Sequence, residues 1–232
     1  MLQSLITTEK NMNDLRKGLN ETLEALLITL SEENIKLIEE YISMLFKWRT
    51  RHNIVSTRDP EYFLKRDFFD SLSMIKHLPN GAMLDVGSGG GIPGLIIGLI
   101  KKETPITLID RREKATRFLE HVKLKLELKN IKVICGDIRL YNDDNNFEAI
   151  LIKNFSNKEI SKLVFTDKIK YLTELTTNKI KSNAPIYMLT GSNALELKGN
   201  LIKTKTNIKN IEITKIMTPF FNTNRYLLKI SV

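Results

Sequence analysis

A chain of 232 residues, 42% hydrophobic and 27% charged, can bury one sizeable core and is too apolar to be disordered over most of its length. Its longest uncharged stretch, the 15 residues from Val86 to Ile100, falls short of the roughly 20 apolar residues a membrane span needs. The N-terminus has neither a basic start nor a sustained apolar run, and the single cysteine, Cys135, cannot form an internal disulfide, so a cytoplasmic protein is expected.

The first 80 residues read as helical. One helix is expected from about 14 to 30. A second runs from 31 to 48, where Ile35, Ile38, Ile42 and Leu45 recur at helical spacing behind Ser31 as N-cap. Asp59-Pro60-Glu61 is a helix start, with the carboxylate as cap and proline in the first turn, leading through Phe63, Leu64, Phe68 and Leu72 toward Pro79. After Gly81 short apolar runs alternate with helical periods, the pattern of βαβ units. Strands are expected at 82–86, 105–110, 131–135, 148–153, 185–190, 211–217 and 225–231, and the clearest helix at 112–129. Seven strands with early crossovers and an antiparallel end predict a doubly wound sheet whose ligand crevice lies at the carboxyl ends of its strands.

The net charge of +9 is not spread evenly. After residue 150 there are fourteen basic residues against five acids, which is the whole excess. A basic face attracts polyanions by releasing their counterions; RNA, DNA, an anionic membrane and a merely soluble surface all fit this charge.

Six of the eleven glycines fall between Gly87 and Gly98, so the chemistry is expected there. The segment AMLDVGSGGGIPG gives a strand, then Asp85-x-Gly87-x-Gly89-x-Gly91, then a helix opened by Pro93. Gly89, Gly91 and Gly94 also satisfy the dinucleotide fingerprint, whose backbone N–H groups receive a pyrophosphate. The acid at Asp85 separates the two readings, since a carboxylate crowds a pyrophosphate with like charge but suits a cation. S-adenosylmethionine, with its positive sulfonium and amino groups, is such a ligand. Asp110 ends the second strand, the position from which an acid bonds ribose hydroxyls in either scheme. Asp137 could accept from an adenine amino group while Ile138 packs on the ring. Capping of the next helix or turn is the plainer reading of both acids.

Five segments carry a more specific resemblance: RDPEYFLKRDFFDSL, DVGSGGGIPG, LIDRREKATRFLE, the IKNF after the fourth strand, and NRYLLKI near the end. In order and spacing, from about Tyr41 to Ile230, the chain resembles the RsmG (GidB) family, bacterial methyltransferases that modify N7 of a guanine in 16S ribosomal RNA. The resemblance implies a Rossmann-like class I S-adenosylmethionine-dependent methyltransferase fold, α/β with a seven-stranded, mostly parallel sheet. It would comprise a helical N-terminal extension over 1–80 and a cofactor-binding core over 81–232.

The resemblance also implies roles. Gly87, Gly89, Gly91 and Ile92, with Asp85, would cradle the methionine half of the cofactor, Asp110 the ribose, and Asp137, Ile138 and Arg139 the adenine side. Lys153 would face both cofactor and base as the catalytic cation. It stands where a family motif similar to Ser-Arg-Ala has arginine, and a lysine keeps the charge without the planar fork. Arg58, Arg66 and Arg225 match basic positions of the family and would contact RNA; lysines 198, 203, 205, 209 and 215, read from charge alone, either track phosphates or are simply solvated. Asp67 stands where the family often has histidine, Arg139 where an acid is common, and Thr190 where a lysine is usual.

Guanine N7 carries a free lone pair, so its methylation needs no general base, and orientation becomes the main requirement. His52, His77 and His121 lack metal-ligand spacing, so no metal is expected. Trp48 continues the apolar face of its helix and reads as core, and Cys135 as a buried strand-end residue. The partner would be 16S ribosomal RNA or the small ribosomal subunit, the protein a monomer. The alternatives are a class I methyltransferase with another RNA or small-molecule target, and a non-catalytic RNA-binding relative.

Overall fold

The computed structural model describes residues 2–142, 147–155, 160–181, 183–197 and 207–232, with side chains from Asn13 onward. Two long helices come first, α1 (Leu2–Ala25) and α2 (Glu32–Arg49). The hydroxyl of Ser31 caps α2 by accepting from the Asn34 N–H at 3.2 Å. α1 starts earlier and stops sooner than periodicity suggests, because Leu27 turns left-handed (φ 55°).

Asp59 caps α3 (Pro60–Phe63) by accepting from the N–H groups of Glu61 and Tyr62. The single helix expected here is broken. A turn of π-helix over Leu64–Phe68 joins α3 to α4 (Phe69–Ser73), and a 3-10 turn over Ile75–His77 closes the segment. The apolar spacing runs on through the wider turn, so the pattern does not betray it.

The sheet follows the expected strands to within a residue: β1 (Met83–Val86), β2 (Ile106–Asp110), β3 (Ile131–Cys135), β4 (Ala149–Lys153), β5 (Ile186–Thr190), β6 (Asn210–Ile216) and β7 (Arg225–Ser231). Their spatial order is β3-β2-β1-β4-β5-β7-β6. The first five are parallel; β7 runs antiparallel to β5 and β6. Between strands lie α5 (Gly94–Ile100), α6 (Glu113–Lys125) and α7 (Phe165–Thr176). α6 is shorter than expected because Glu127 takes a left-handed conformation (φ 51°).

Every residue of β1, β2 and β4 is buried, as a parallel sheet covered on both faces requires. Alternate residues serve opposite faces. Met83, Leu108 and Leu151 pack with α1, α2, α5 and α6, whereas Leu84, Ile109 and Ile150 pack with α7. The helices before residue 80 share one continuous core with the sheet: Leu19, Tyr41, Phe63 and Phe69 cluster with Met83, Leu95 and Phe118. Trp48 packs partly buried against this core, its ring 5.7 Å from those of Phe118 and His121. Cys135 corrects the expectation of burial: it is exposed, because β3 is an edge strand and only its first residue is buried. Among the described residues no helix is long and apolar enough to cross a membrane.

Candidate active site

β1 leads into a loop in which Gly87, Gly89 and Gly91 hold φ of 76°, 55° and 95°, values that bulkier residues reach only under strain. A Cβ on Gly87 would lie 2.6 Å from the Phe155 ring, so bare backbone is what lets that ring approach. The helices before residue 80 hold the loop from the other side. Tyr41, fully buried in α2, donates its hydroxyl to the Gly90 carbonyl at 2.8 Å, and a Cβ on Gly90 would strike Val55 and Leu45.

Two cavities open at the carboxyl ends of the strands. The first, about 230 Å³, is lined by Gly87, Asp110, Gly136, Asp137, Ile138 and Arg139, with Phe155 and Tyr171. The second, about 140 Å³, is lined by Ile54 to Thr57, Asp67, Gly89, Ile92 and Lys153. Gly87, Arg112 and Asn154 border both. Eight of the ten residues expected to hold the cofactor therefore face one cavity or the other.

Asp85 and Gly91 line neither. Asp85 lies on the buried side of β1, wholly inaccessible, where one carboxylate oxygen accepts from the Gly94 N–H at 3.1 Å. The other has no partner among the described residues. Burial pushes this carboxyl up to about 7, against the pull of the Gly94 N–H. It organises the loop from behind. Gly91 is turned under the loop, where a Cβ would meet Leu95 and Leu119.

Asp110 is buried at the mouth. One of its oxygens accepts from the Gly89 N–H at 2.8 Å, tying the end of β2 to the glycine loop. Arg112 folds back onto the same carboxylate, and Arg139 does the same to Asp137.

Lys153 is buried beside the second cavity. Its ammonium donates to Asp67 at 2.5 Å and lies 3.9 Å from Asp70. The other oxygen of Asp67 accepts from Arg66 at 2.7 Å and Thr57 at 2.8 Å. Burial works to raise the Asp67 pKa, but Lys153 and Arg66 overcome it and hold the carboxyl at about 2. Asp70 in turn takes Arg225 from the start of β7. Three cations thus enclose two carboxylates, and the site keeps a net positive charge. The departures at Lys153 and Asp67 are each other's ion-pair partners.

Of the expected RNA contacts, Arg58 is exposed, while Arg66 and Arg225 are half-buried in this network. Lysines 198, 203 and 205 lie outside the described residues; Lys209 and Lys215 are exposed at β6. Among the described residues no group of His, Cys, Asp or Glu could hold a metal. Sequence reasoning missed Phe155, Tyr171, Arg112 and Thr57. Only Arg112 carried a local signal, the Asp-x-Arg spacing that Asp137 and Arg139 repeat.

A mostly parallel sheet of this order, with an antiparallel β7 set between β5 and β6, a glycine turn after its first strand and an acid ending its second, defines a class I S-adenosylmethionine-dependent methyltransferase. The fold likeness extends to solved structures. One is the N-methyltransferase NodS from Bradyrhizobium japonicum WM9 in complex with S-adenosyl-L-homocysteine, with a TM-score of 0.52, 10% identity and coverage of 80% of this chain and 98% of that one. Another is a SAM dependent methyltransferase from Aquifex aeolicus, with a TM-score of 0.51, 16% identity and coverage of 75% and 94%. Sequence narrows the class. The model of the GidB family, rRNA small subunit methyltransferase G, matches residues 34–227, and the chain belongs to that family.

Relatives named Ribosomal RNA small subunit methyltransferase G include one from Pseudomonas fluorescens (strain Pf0-1), 34% identical over 150 residues, covering 65% of this chain and 68% of that protein. A second, from Ruthia magnifica, is 29% identical over 201 residues, covering 87% and 90%. The residues present suit S-adenosylmethionine, the cofactor of the class. A Cβ-free cradle at Gly87, the Phe155 ring and a buried carboxylate at Asp110 converge on one crevice.

Proposed function

We propose that this protein transfers a methyl group from S-adenosylmethionine to N7 of a guanine in 16S ribosomal RNA, as substrate either naked or within the small ribosomal subunit. The observation that carries the proposal is the pair of cavities sharing Gly87 and Asn154, one bordered by carboxylates and the other by the buried ammonium of Lys153.

In this reading the first cavity takes the nucleoside. Asp110 meets the ribose, Asp137 the adenine amino edge, and Ile138 the face of the ring, with Arg139 beside them. Gly87, Gly89 and Ile92 turn the methionine portion toward the second cavity, and Asp85 and Gly91 keep the loop in shape. The bound cofactor supplies an electrophilic methyl group on a sulfonium. The chain has no proton to remove, because N7 attacks through its own lone pair. Its task is to orient the base, exclude water and accommodate positive charge moving onto the purine. Lys153 can donate to O6 or to a phosphate while leaving N7 open, with Asp67 and Asp70 fixing its position. Arg58, Arg66 and Arg225 draw the RNA to this mouth.

The helical extension, 1–80, and the core, 81–232, work together, since the second cavity is walled by Ile54 to Thr57 on one side and by the glycine loop on the other. A cytoplasmic monomer suffices for this chemistry. The test is to offer labelled S-adenosylmethionine to unmodified small ribosomal subunits and analyse the nucleosides. Label in 7-methylguanosine is the expected result; label in another nucleoside, or none, overturns the proposal.

A further inference from the structure

The two carboxylates of the first cavity share one local arrangement. Two residues after Asp110 stands Arg112, and two after Asp137 stands Arg139. In each case the arginine's backbone N–H and Nε approach one carboxylate oxygen and its Nη2 the other. On Asp110 a fourth group enters: the Gly89 N–H donates at 2.8 Å to the oxygen that also receives Arg112 Nη2 at 3.1 Å. The first oxygen receives the Arg112 N–H at 2.9 Å and Nε at 3.1 Å.

A carboxylate offers about four acceptor directions, and Asp110 has all four filled by its own chain. A vicinal ribose diol brings two hydroxyl donors and needs two of those places. The bonds from Gly89 and from the Arg112 backbone are set by the course of the chain. The other two come from a guanidinium whose side chain is 51% exposed. Only the guanidinium can leave by rotation.

Its position decides where it goes. Arg112 borders the second cavity as well as the first. It lies across the glycine loop at a point where a Cβ on Gly89 would come within 3.2 Å of Nη2. The cavity that Lys153 borders is thus within reach of a guanidinium that rotates off Asp110.

We propose that Arg112 is a displaceable clasp that couples the two cavities. The ribose diol of the cofactor takes its place on Asp110, and the released guanidinium binds a phosphate of the RNA strand entering the second cavity. The inference rests on the cofactor and RNA reading given above. It makes RNA binding tighter once the cofactor is bound and, by reciprocity, cofactor binding tighter once RNA is bound.

Calorimetry with S-adenosylhomocysteine, which binds without turnover, and a fragment of unmodified 16S ribosomal RNA tests this on the full-length protein. In the wild type, S-adenosylhomocysteine should tighten RNA binding by about tenfold, the scale of one charge-assisted contact. Arg112→Ala should bind S-adenosylhomocysteine several-fold more tightly, bind RNA more weakly, and lose the dependence of one on the other. Arg112→Lys, which keeps charge but not the fork, should retain part of the RNA contact while clasping Asp110 less well. Weaker S-adenosylhomocysteine binding by Arg112→Ala would place the guanidinium on the cofactor's own carboxylate and overturn the proposal. So would unchanged coupling. A wild type that binds neither probe would instead overturn the broader assignment, so the two failures are distinct.

Discussion

Lys153 and Asp67, 86 residues apart in the chain, meet at 2.5 Å at the edge of the second cavity, both buried. Their pairing joins the end of the fourth strand to the helical segment before the sheet. Removing one partner leaves the other charge buried and short of compensation, a loss of about 3 kcal/mol. Lys153→Met and Asp67→Asn should therefore each destabilise the protein strongly, and the double variant should lose clearly less than the sum. Urea unfolding of the four proteins measures this; additive losses would show that the two charges do not depend on each other.

The same pair shows where sequence reasoning stops. Strands were readable because a doubly covered parallel sheet demands apolar runs such as MLDV and AILIK, and the acids at strand ends followed from the strands. The Asp59 cap and the glycine loop are local patterns and appear where expected. Asp67 and Lys153 are joined only by packing, so no spacing announces them. Asp85 was expected at the mouth, yet whether a strand-end side chain faces a ligand or the next helix depends on which face of the sheet it occupies. The Phe155 ring reaches Gly87 only because the fourth strand lies beside the first.

Tyr41→Phe keeps the ring and removes only the hydroxyl that Gly90 accepts. A buried carbonyl left without its donor costs about 1–2 kcal/mol, and the glycine loop loses one anchor. The variant should melt a few degrees lower and bind S-adenosylhomocysteine several-fold more weakly. Thermal unfolding with and without that ligand checks both; wild-type behaviour in both would show that the bond does not brace the loop.

Asp85 has an unusual linkage to pH. Its native pKa, raised to about 7, lies above the ordinary value near 3.8, so between those values the folded chain binds more protons than the unfolded one. Stability falls as pH rises through that window, and above pH 7 the full cost of about 4 kcal/mol is present. Asp85→Asn should stabilise the ligand-free protein at pH 8, with the advantage shrinking toward pH 4. Denaturation at a series of pH values measures it; a constant difference would place the ionisation elsewhere.

Asp67 behaves in the opposite sense. Its native pKa of about 2 lies below the unfolded value, so its contribution is complete above about pH 4 and disappears as pH falls toward 2. Asp67→Asn should therefore flatten the acid limb of the unfolding curve. An unchanged limb would mean that another carboxylate governs acid unfolding.

RNA binding should depend steeply on salt. About six phosphate contacts to single-stranded regions give a log–log slope near −4. Removing the exposed Arg58 should reduce that slope by about 0.7, the contribution of one contact. Filter binding over a range of salt concentrations supplies the slope, and a flat response would count against a basic RNA-binding mouth.

The π-helical turn over Leu64–Phe68 bears on how this segment can change in length. A π-turn takes one residue more than an α-turn to close, so loss of one residue there restores ordinary winding while the chain on either side keeps nearly the same orientation. The backbone from Ile54 to Thr57 would stay against the cavity it walls, and what changes is the aim of the side chains within the turn, Asp67 among them. A single-codon deletion in this segment would therefore act on the pairing of Asp67 with Lys153 and spare both the sheet and the outer helices.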